Sequence, residues 1–188
     1  MIVGIAGPTA SGKTTIADIL ERDFGAKRFR YSMLLAELAK ERGLDLTDKA
    51  TLQELYLSER EQRGEDFLTN DLATRVMYTD APLIAVEGAR RLVDVKTLYA
   101  LAKQRNEVLK LIFIEASFES RLTRYNERLK LTGKKPITHE VFERLERNAT
   151  ENEIDNLREI FLKEGICLDT SKLTIKQASA KVKEFLGL

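Results

Sequence analysis

The sequence predicts an α/β fold built on a five-stranded parallel sheet. Short apolar segments alternate with longer helical stretches, the first apolar segment runs directly into a glycine-rich loop, and that loop opens a helix. Strands and helices that alternate at such spacings are typical of parallel sheets covered by helices on both faces. We therefore expect three layers with the sheet in the middle.

Five short segments have the composition of strands. The first, Ile2–Ala6, is apolar throughout, as a strand covered on both faces must be. The third begins at Pro82, a position where proline removes no hydrogen bond from the ladder. In chain order, the predicted strands are Ile2–Ala6, 27–31, 82–86, 108–114 and 166–168.

The segments between the strands predict eight helices, several of which carry terminal signals. Ser32 and Thr47 are N-cap candidates for the second and third helices, and Thr138 and Thr174 for the last two. Gly64 separates the third helix from the fourth. The predicted helices are 14–23, 32–42, 48–63, 66–78, 92–104, Phe118–Leu131, 140–162 and Ile175–Leu186.

Composition narrows the classes of function. The 31 basic and 30 acidic residues leave a net charge of +1, so bulk electrostatics predict neither a nucleic-acid nor a membrane partner. A single cysteine, Cys167, and a single histidine, His139, leave little material for zinc sites or cysteine-protease chemistry. There is no apolar run of about eighteen residues and no basic segment before the first apolar run, so we expect a cytoplasmic protein.

The strongest functional signal follows the first strand, where residues 7–14 match G-x-x-x-x-G-K-[ST] without a gap. Two glycines allow the loop to wrap around a phosphate group, with successive backbone N–H groups pointing at it. The positive end of the following helix also points at the phosphate. Lys13 can then reach the β and γ phosphates of ATP, and the Thr14 hydroxyl can hold Mg²⁺. The predicted ATP-binding residues of the loop are Gly7, Pro8, Thr9, Ala10, Ser11, Gly12, Lys13, Thr14 and Thr15.

Charged side chains follow the third strand, at the sheet edge where such folds bind ligands. Glu87 comes directly after the predicted strand, and a carboxylate there helps to hold Mg²⁺ in phosphate-loop folds. Arg90 and Arg91 come next, and arginine forks match the oxygens of a phosphate in transfer. We predict Thr14 and Glu87 as Mg²⁺ ligands and Arg90 as a catalytic residue, with Arg91 as a further candidate.

A stripe of arginines lies on the helix predicted at Phe118–Leu131. Arg121, Arg124 and Arg128 are spaced i, i+3 and i+7, so they share one face of that helix. Such a stripe is ordinarily solvated and paired with neighbouring glutamates, but its position before a glycine-containing loop favours a lid that closes over ATP. We predict Arg121 and Arg124 as catalytic residues, and Arg121 also as an ATP contact.

Two inserts interrupt the alternation within what we expect to be one domain, 1–188. Two extra helices stand between the second and third strands, in an insert at about 32–79 for the phosphate acceptor. The second insert is the lid at about 121–147, which contains the loop at 133–136. Arg147, beyond that loop, is a further candidate for the site.

With these residues identified, the chain resembles the adenylate-kinase-like P-loop kinases. It is most similar to archaeal-type adenylate-kinase-related proteins, and more distantly to dephospho-CoA kinase and phage deoxynucleotide kinases. Residues 87–90, Glu-Gly-Ala-Arg, look like that group's Asp-Gly-x-Arg turn, which implies that Arg90 contacts the acceptor's phosphate. Residues 121–124, Arg-Leu-Thr-Arg, look like its Arg-x-x-Arg lid motif, which implies contacts to ATP. The resemblance covers nearly the whole chain and implies the strand order 2-3-1-4-5.

Two further segments resemble this group more weakly, and one segment departs from its pattern. Arg147 with Glu151 is similar to an Arg-x-x-x-Glu that follows the lid, and residues 169–171 lie where relatives often place adenine. After the second strand, relatives read Ser-Asp-x-x-Arg, whereas residues 32–36 are Ser-Met-Leu-Leu-Ala. The aspartate and the acceptor-binding arginine of that motif are both absent. Arg60 or Arg63, which both lie on the first insert, are candidates to replace that arginine.

Three functions remain open at this point. The leading expectation is ATP- and Mg²⁺-dependent phosphorylation of a nucleoside or deoxynucleoside monophosphate, a small-molecule acceptor, by a monomer or weak homodimer. An acceptor that is already a phosphate needs no base, so the missing aspartate favours it over a hydroxyl-bearing metabolite such as dephospho-CoA. Glu87 is the candidate base for the metabolite alternative. The third expectation is a nucleotide-binding switch or slow ATPase.

Overall fold

The computed structural model describes residues 1–44, 49–147 and 154–188. Its centre is a parallel sheet with the order β2-β3-β1-β4-β5. The chain starts in the middle strand, crosses to one edge for β2, returns to place β3 between β2 and β1, and then adds β4 and β5 on the other side. This order is the one that the resemblance implied. The strands are β1 Ile2–Ala6, β2 Lys27–Arg30, β3 Ile84–Ala89, β4 Leu109–Glu115 and β5 Ile166–Asp169.

Helices fill every connection between successive strands of the described chain. Three of them separate β2 from β3, and three separate β4 from β5, so the two predicted inserts have helical counterparts. None of the helices in these residues is long and apolar enough to cross a membrane. The helices are α1 Lys13–Phe24, α2 Tyr31–Glu41, α3 Lys49–Arg63, α4 Phe67–Met77, α5 Leu92–Arg105, α6 Phe118–Leu131, α7 His139–Glu146, α8 Ile154–Glu164 and α9 Ile175–Leu186.

Alternation of side chains along β1 explains the three layers. Val3 and Ile5 belong to a core formed with α1 and α9, whereas Ile2 and Ala6 face α2, α4, α5 and α8 on the other side of the sheet. All four side chains are fully buried. Because burying a valine or isoleucine contributes about 1.5–3 kcal/mol, both faces of this strand hold helices against the sheet.

The third strand differs from its prediction. It spans Ile84–Ala89, not 82–86, and its pairing with β1 continues to Ala89 through an irregularity between Ile5 and Ala6. The apolar run ends at Val86, so composition placed the end of the strand three residues early. Glu87 therefore lies inside the strand and does not follow it.

The second helix also begins differently from its prediction. It starts at Tyr31 with Arg30 as the N-cap residue, so Ser32 lies in the first turn and the predicted Ser32 cap is wrong. The strand continues directly into the helix, because Arg30 still has extended backbone angles of φ −143° and ψ 131°. Because β2 ends at Arg30 and α2 begins at Tyr31, the start of this helix lies at the carboxyl end of the sheet. The Arg30 side chain does not cap the helix.

The long helix predicted at 140–162 is two helices, α7 and α8, in the described part of the chain. The caps at the starts of α7 and α9 are confirmed, since Thr138 Oγ1 accepts from Val141 N and Thr174 Oγ1 accepts from Gln177 N. The predicted cap at Thr47 and the proposed role of Glu151 lie outside the described residues.

Candidate phosphate-binding site

The loop after β1 has a conformation that its two glycines permit. Gly7 has φ 140°, and a Cβ there would lie 2.0 Å from the carbonyl oxygen of Ile114 on the neighbouring strand. Gly12 has φ 107° and closes the loop at the start of α1. Between them, Ala10 also adopts a left-handed φ of 61°. The backbone thus wraps tightly over the end of the sheet, as the motif predicts.

The start of α1 is open to an anion. The N-cap residue is Gly12, no side chain caps the helix, and the first turn contains no acidic residue. The first N–H groups of a helix have no partners within it, and they carry its positive end. Lys13 curls back over the loop, where its Nζ donates to the carbonyl oxygens of Gly7 and Pro8 at 2.6 Å each. This arrangement places an ammonium group beside the first turn of α1.

Glu87 lies beneath the loop and is only 2% exposed. Its Oε1 accepts a hydrogen bond of 2.6 Å from Thr14 Oγ1, which places the two predicted Mg²⁺ ligands side by side. Hydroxyl and carboxylate oxygens are the hard donors that Mg²⁺ prefers, so this pair fits such an ion. When bound there, Mg²⁺ would neutralise charge on the phosphates of a nucleotide.

Arg28 is a partner of Glu87 that the sequence analysis missed. Its Nε donates to Glu87 Oε2 at 3.1 Å, and the same guanidinium pairs with Asp18 on α1. Burial lowers the pKa of Arg28, but the hydrogen bonds and charges of Glu87 and Asp18 together outweigh that effect, so the net pKa is raised. Arg28 therefore stays charged and balances the buried carboxylate.

A cavity of about 570 Å³ opens above the loop. It is lined by the phosphate loop and by residues that follow β2 and β3, together with one face of α6. Five basic and two acidic side chains line it, so the cavity suits an anion. The basic residues are Lys13, Arg30, Arg90, Arg124 and Arg128, and the acidic residues are Glu87 and Glu127.

The two arginines after β3 have different environments. Arg90 lines the cavity, and its backbone N–H donates to Asp94 Oδ2 at 3.0 Å. Arg91 turns away toward α4, where its guanidinium donates to Asp66 Oδ1 and Thr69 Oγ1 at 2.8 Å each. Arg91 thus joins α5 to α4, whereas Arg90 faces the space above Lys13.

The three arginines of α6 also separate. Arg124 donates to Ser11 O at 3.2 Å and to both oxygens of Thr170 at 2.9 Å, so it ties α6 to the phosphate loop. Arg121 is buried and pairs with Glu146 of α7, with Phe118 also against its guanidinium. It lines a separate, smaller pocket.

The remaining candidates on α6 and α7 are more exposed. Arg128 lines the cavity from an exposed position, and Arg147 pairs with Glu143 on its own helix at 2.7 Å. Thr170, in the segment where relatives place adenine, donates to Ser11 O at 2.6 Å. That segment therefore lies against the loop.

The two arginines considered as replacements on the first insert do not line the cavity. Arg60 pairs with Glu65, and Arg63 donates to Asp71 Oδ1 at 2.6 Å. Arg30, which does line it, was missed because a basic residue on a short, partly polar strand carries no motif. Its signal was the alternation Arg28, Phe29, Arg30, which places both arginines on one face of an edge strand.

The sheet order, the loop and the helix that follows it define the P-loop kinase fold. Solved structures share it over nearly their full length. They include a proposed kinase from Chloroflexus aurantiacus (14% identity, 98% of this chain and 97% of that chain, TM-score 0.58). Shikimate kinase from Aquifex aeolicus matches at 17% identity over 100% of this chain and 96% of that chain (TM-score 0.57). The tunicamycin resistance protein of Deinococcus radiodurans matches at 20% identity over 100% of this chain and 95% of that chain, with a TM-score of 0.57.

No family model and no curated protein matches the sequence. At identities of 14–20%, the structural likenesses establish the fold alone. The activity must therefore be argued from the residues of the site.

Proposed function

We propose that the protein is an ATP·Mg²⁺-dependent phosphotransferase whose acceptor is a nucleoside or deoxynucleoside monophosphate. The observation that carries this proposal is the basic cavity in front of the phosphate loop. It is lined by Lys13 and Thr14 at the start of α1, by Glu87 of β3 and by Arg90 directly after that strand. A cavity with cations supplied by separate elements suits a reaction between two anions.

The residues of the loop would hold and orient the donor. Backbone N–H groups of the loop and of the first turn of α1 would bind the phosphates of ATP, and Lys13 would move from its carbonyl partners to the transferred group. Thr14 and Glu87 would hold Mg²⁺, which adds positive charge beside the phosphates. Arg124 would keep α6 against the loop.

The chemical step would then be positioning and charge stabilisation. An oxygen of the acceptor phosphate forms a bond to the γ phosphorus as the bond from that phosphorus to the β–γ bridging oxygen breaks, and ADP leaves. Lys13 and Arg90 would stabilise the charge that spreads over the transferred group. We propose Arg121 as a catalytic and ATP-contacting residue: its guanidinium donates to Thr9 O of the loop at 3.5 Å, and closure of the α6–α7 segment would bring it from its partner Glu146 to the phosphates.

The bonding of Glu87 favours an acceptor that needs no base. Its Oε1 accepts from Thr14 and its Oε2 from Arg28, so both oxygens are engaged by donors. A general base must reach the proton that it removes, and Glu87 would first have to give up one of these partners. A phosphate acceptor is already ionised near pH 7, whereas the hydroxyl of a metabolite would require proton removal.

The test is transfer of phosphate from ATP·Mg²⁺ to a panel of ribo- and deoxynucleoside monophosphates. We expect transfer to at least one of them, reduced at least ~100-fold by Lys13→Ala, since a charge-stabilising contact in the transition state is lost. Lys181→Ala, at an exposed position on α9 outside the cavity, is the matched control and should be fully active. ATP binding without transfer to any monophosphate would overturn the proposal and favour a metabolite acceptor or a nucleotide-binding switch.

A further inference from the structure

Arg30 lines the cavity but has no part in the transfer step proposed for Lys13 and Arg90. It is the last residue of β2, the N-cap residue of α2, and part of the lining of the cavity in front of the phosphate loop. Its Nε atom is buried and has no hydrogen-bond partner within the described residues. Buried polar atoms rarely lack a hydrogen-bond partner, so we expect a bound ligand to accept a hydrogen bond from this Nε–H.

The neighbouring charges explain why Arg30 has no carboxylate partner among the residues that the structure describes. Arg28 and Arg30 share one face of β2, and Glu87 is the register partner of Arg30 on β3. Glu87 is nevertheless bound to Arg28 and Thr14, which together engage both of its oxygens. Arg30 therefore adds a positive charge to the cavity, and Glu87 does not balance this charge because both of its oxygens bind other donors.

The start of α2 adds to this positive charge. The helix begins at Tyr31, has no side-chain cap, and contains no acidic residue in its first turn. Tyr31 and Ser32 of that turn line the same cavity, so the positive end of α2 faces it. Arg90 lines the cavity from the end of β3, the strand beside β2. Two arginines and a helix start thus lie around one space.

We propose that Arg30, together with Arg90 and the first turn of α2, binds the phosphate of the acceptor. This inference rests on the proposed function and adds the residue that specifies an anionic acceptor. The Ser-Met-Leu-Leu-Ala sequence at 32–36 has no arginine, and Arg30 supplies one from the strand before the helix. The acceptor phosphate then lies across the cavity from Lys13, with the transferred group between them.

The test measures binding, so it does not depend on turnover. Calorimetry is carried out with AMP, GMP, CMP, UMP and dTMP, and with the corresponding nucleosides, on protein saturated with the non-hydrolysable analogue AMP-PNP and Mg²⁺. Arg30→Met removes the charge and keeps the aliphatic stem, whereas Arg30→Lys keeps the charge and removes the fork. Lys27→Met, at an exposed position on the same strand, is the matched control for the loss of one positive charge.

We expect Arg30→Met to weaken the tightest-binding monophosphate roughly 10- to 100-fold, because a charge-assisted contact is lost. Arg30→Lys should fall in between, and Lys27→Met should bind as the wild type does. Affinity for the matching nucleoside and for AMP-PNP should stay within about twofold in every variant, since neither ligand presents a phosphate to Arg30.

Three results would overturn the assignment: unchanged monophosphate binding in Arg30→Met, an equal loss of AMP-PNP binding, or no monophosphate binding by the wild type. The proposed function fails separately. If the wild type binds a monophosphate through Arg30 but transfers no phosphate to it, the anion site stands and the phosphotransferase proposal falls. If transfer proceeds and Arg30→Met binds normally, the phosphotransferase proposal stands and the assignment of Arg30 falls.

Discussion

At the scale of single residues, Glu87 combines two roles: it pairs with Arg28, and it is a candidate ligand for Mg²⁺. It is a buried carboxylate whose charge is balanced by Arg28, and it is also a candidate ligand for Mg²⁺ through its contact with Thr14. A buried carboxylate is costly unless it is paired and hydrogen-bonded. The pairing keeps the carboxylate in place beside the loop, so that it is already oriented when a nucleotide arrives.

Glu87→Gln separates holding of Mg²⁺ from acid–base catalysis. We expect the Mg²⁺ concentration for half-maximal transfer to rise roughly 10-fold, because losing a carboxylate beside a metal site typically weakens metal affinity by that order. The pH dependence of the rate should keep its shape, since both oxygens of Glu87 already accept hydrogen bonds. A steep pH dependence that the variant loses would identify Glu87 as the base and favour a hydroxyl acceptor.

Stability supplies the control for that experiment. Glu87→Gln leaves the guanidinium of Arg28 with only the exposed Asp18 and Glu21 as carboxylate partners, so denaturant unfolding should show a loss of about 1–3 kcal/mol. Asp18→Asn removes an exposed carboxylate from the same guanidinium. It should cost less than about 1 kcal/mol and leave the Mg²⁺ dependence unchanged, because its partner lies at the surface.

At the scale of elements, the start of α5 fixes the position of Arg90. Asp94 is buried, and its carboxylate accepts from the backbone N–H groups of Arg90 and Arg91 at 3.0 Å and from Thr69 Oγ1 at 2.7 Å. One carboxylate therefore caps α5, holds the turn after β3 and binds α4. The acidic residue three positions into the helix was the only sign of this cap in the sequence.

Asp94→Asn should destabilise the protein by about 2–3 kcal/mol in denaturant unfolding, because one buried anionic acceptor serves three donors. The KM for the monophosphate should rise more than the KM for ATP, since the turn that carries Arg90 loses its anchor. Lys96→Ala, at an exposed position on the same helix, should change stability by less than about 0.5 kcal/mol. Equal changes in both KM values would indicate a general loss of folding rather than displacement of Arg90.

The elements that the sequence predicted best are those with local signals. β1, α6 and α9 match their predicted bounds, because an apolar run or a capping side chain marks their ends. β3 was misplaced, since its last residues are held by pairing with β1 and not by apolar composition. The phosphate loop was predictable because its motif is contiguous. Arg28 and Arg30 were not, since their roles depend on which strand lies beside β2.

At the scale of the whole molecule, strand order explains how the site assembles. β2, β3 and β1 are neighbours in the sheet, so the segments that follow them reach the same edge although they are far apart in sequence. Those segments supply Arg30, Arg90 and Lys13, and α6 closes the cavity with Arg124. A ligand in this cavity would therefore contact parts of the chain that pack against both faces of the sheet.

Binding of ATP·Mg²⁺ should consequently stabilise the fold as one unit. A ligand present at about 100 times its Kd stabilises the native state by about 2.7 kcal/mol. For a chain of 188 residues, that free energy corresponds to a rise in Tm of roughly 5–10 °C. Scanning calorimetry should show this shift as one transition. Lys13→Ala should lose most of it, and chelation of Mg²⁺ should reduce it.

Lys181→Ala again provides the control, with an exposed lysine outside the cavity and a Tm shift equal to that of the wild type. Adding the tightest-binding monophosphate of the panel to protein without ATP or Mg²⁺ should raise Tm through Arg30 and Arg90 even when Lys13 is replaced, because the two anion sites are held by different elements. If Lys13→Ala abolished both shifts together, the loop and the acceptor side would form one inseparable site. The division of the cavity into donor and acceptor halves would then be wrong.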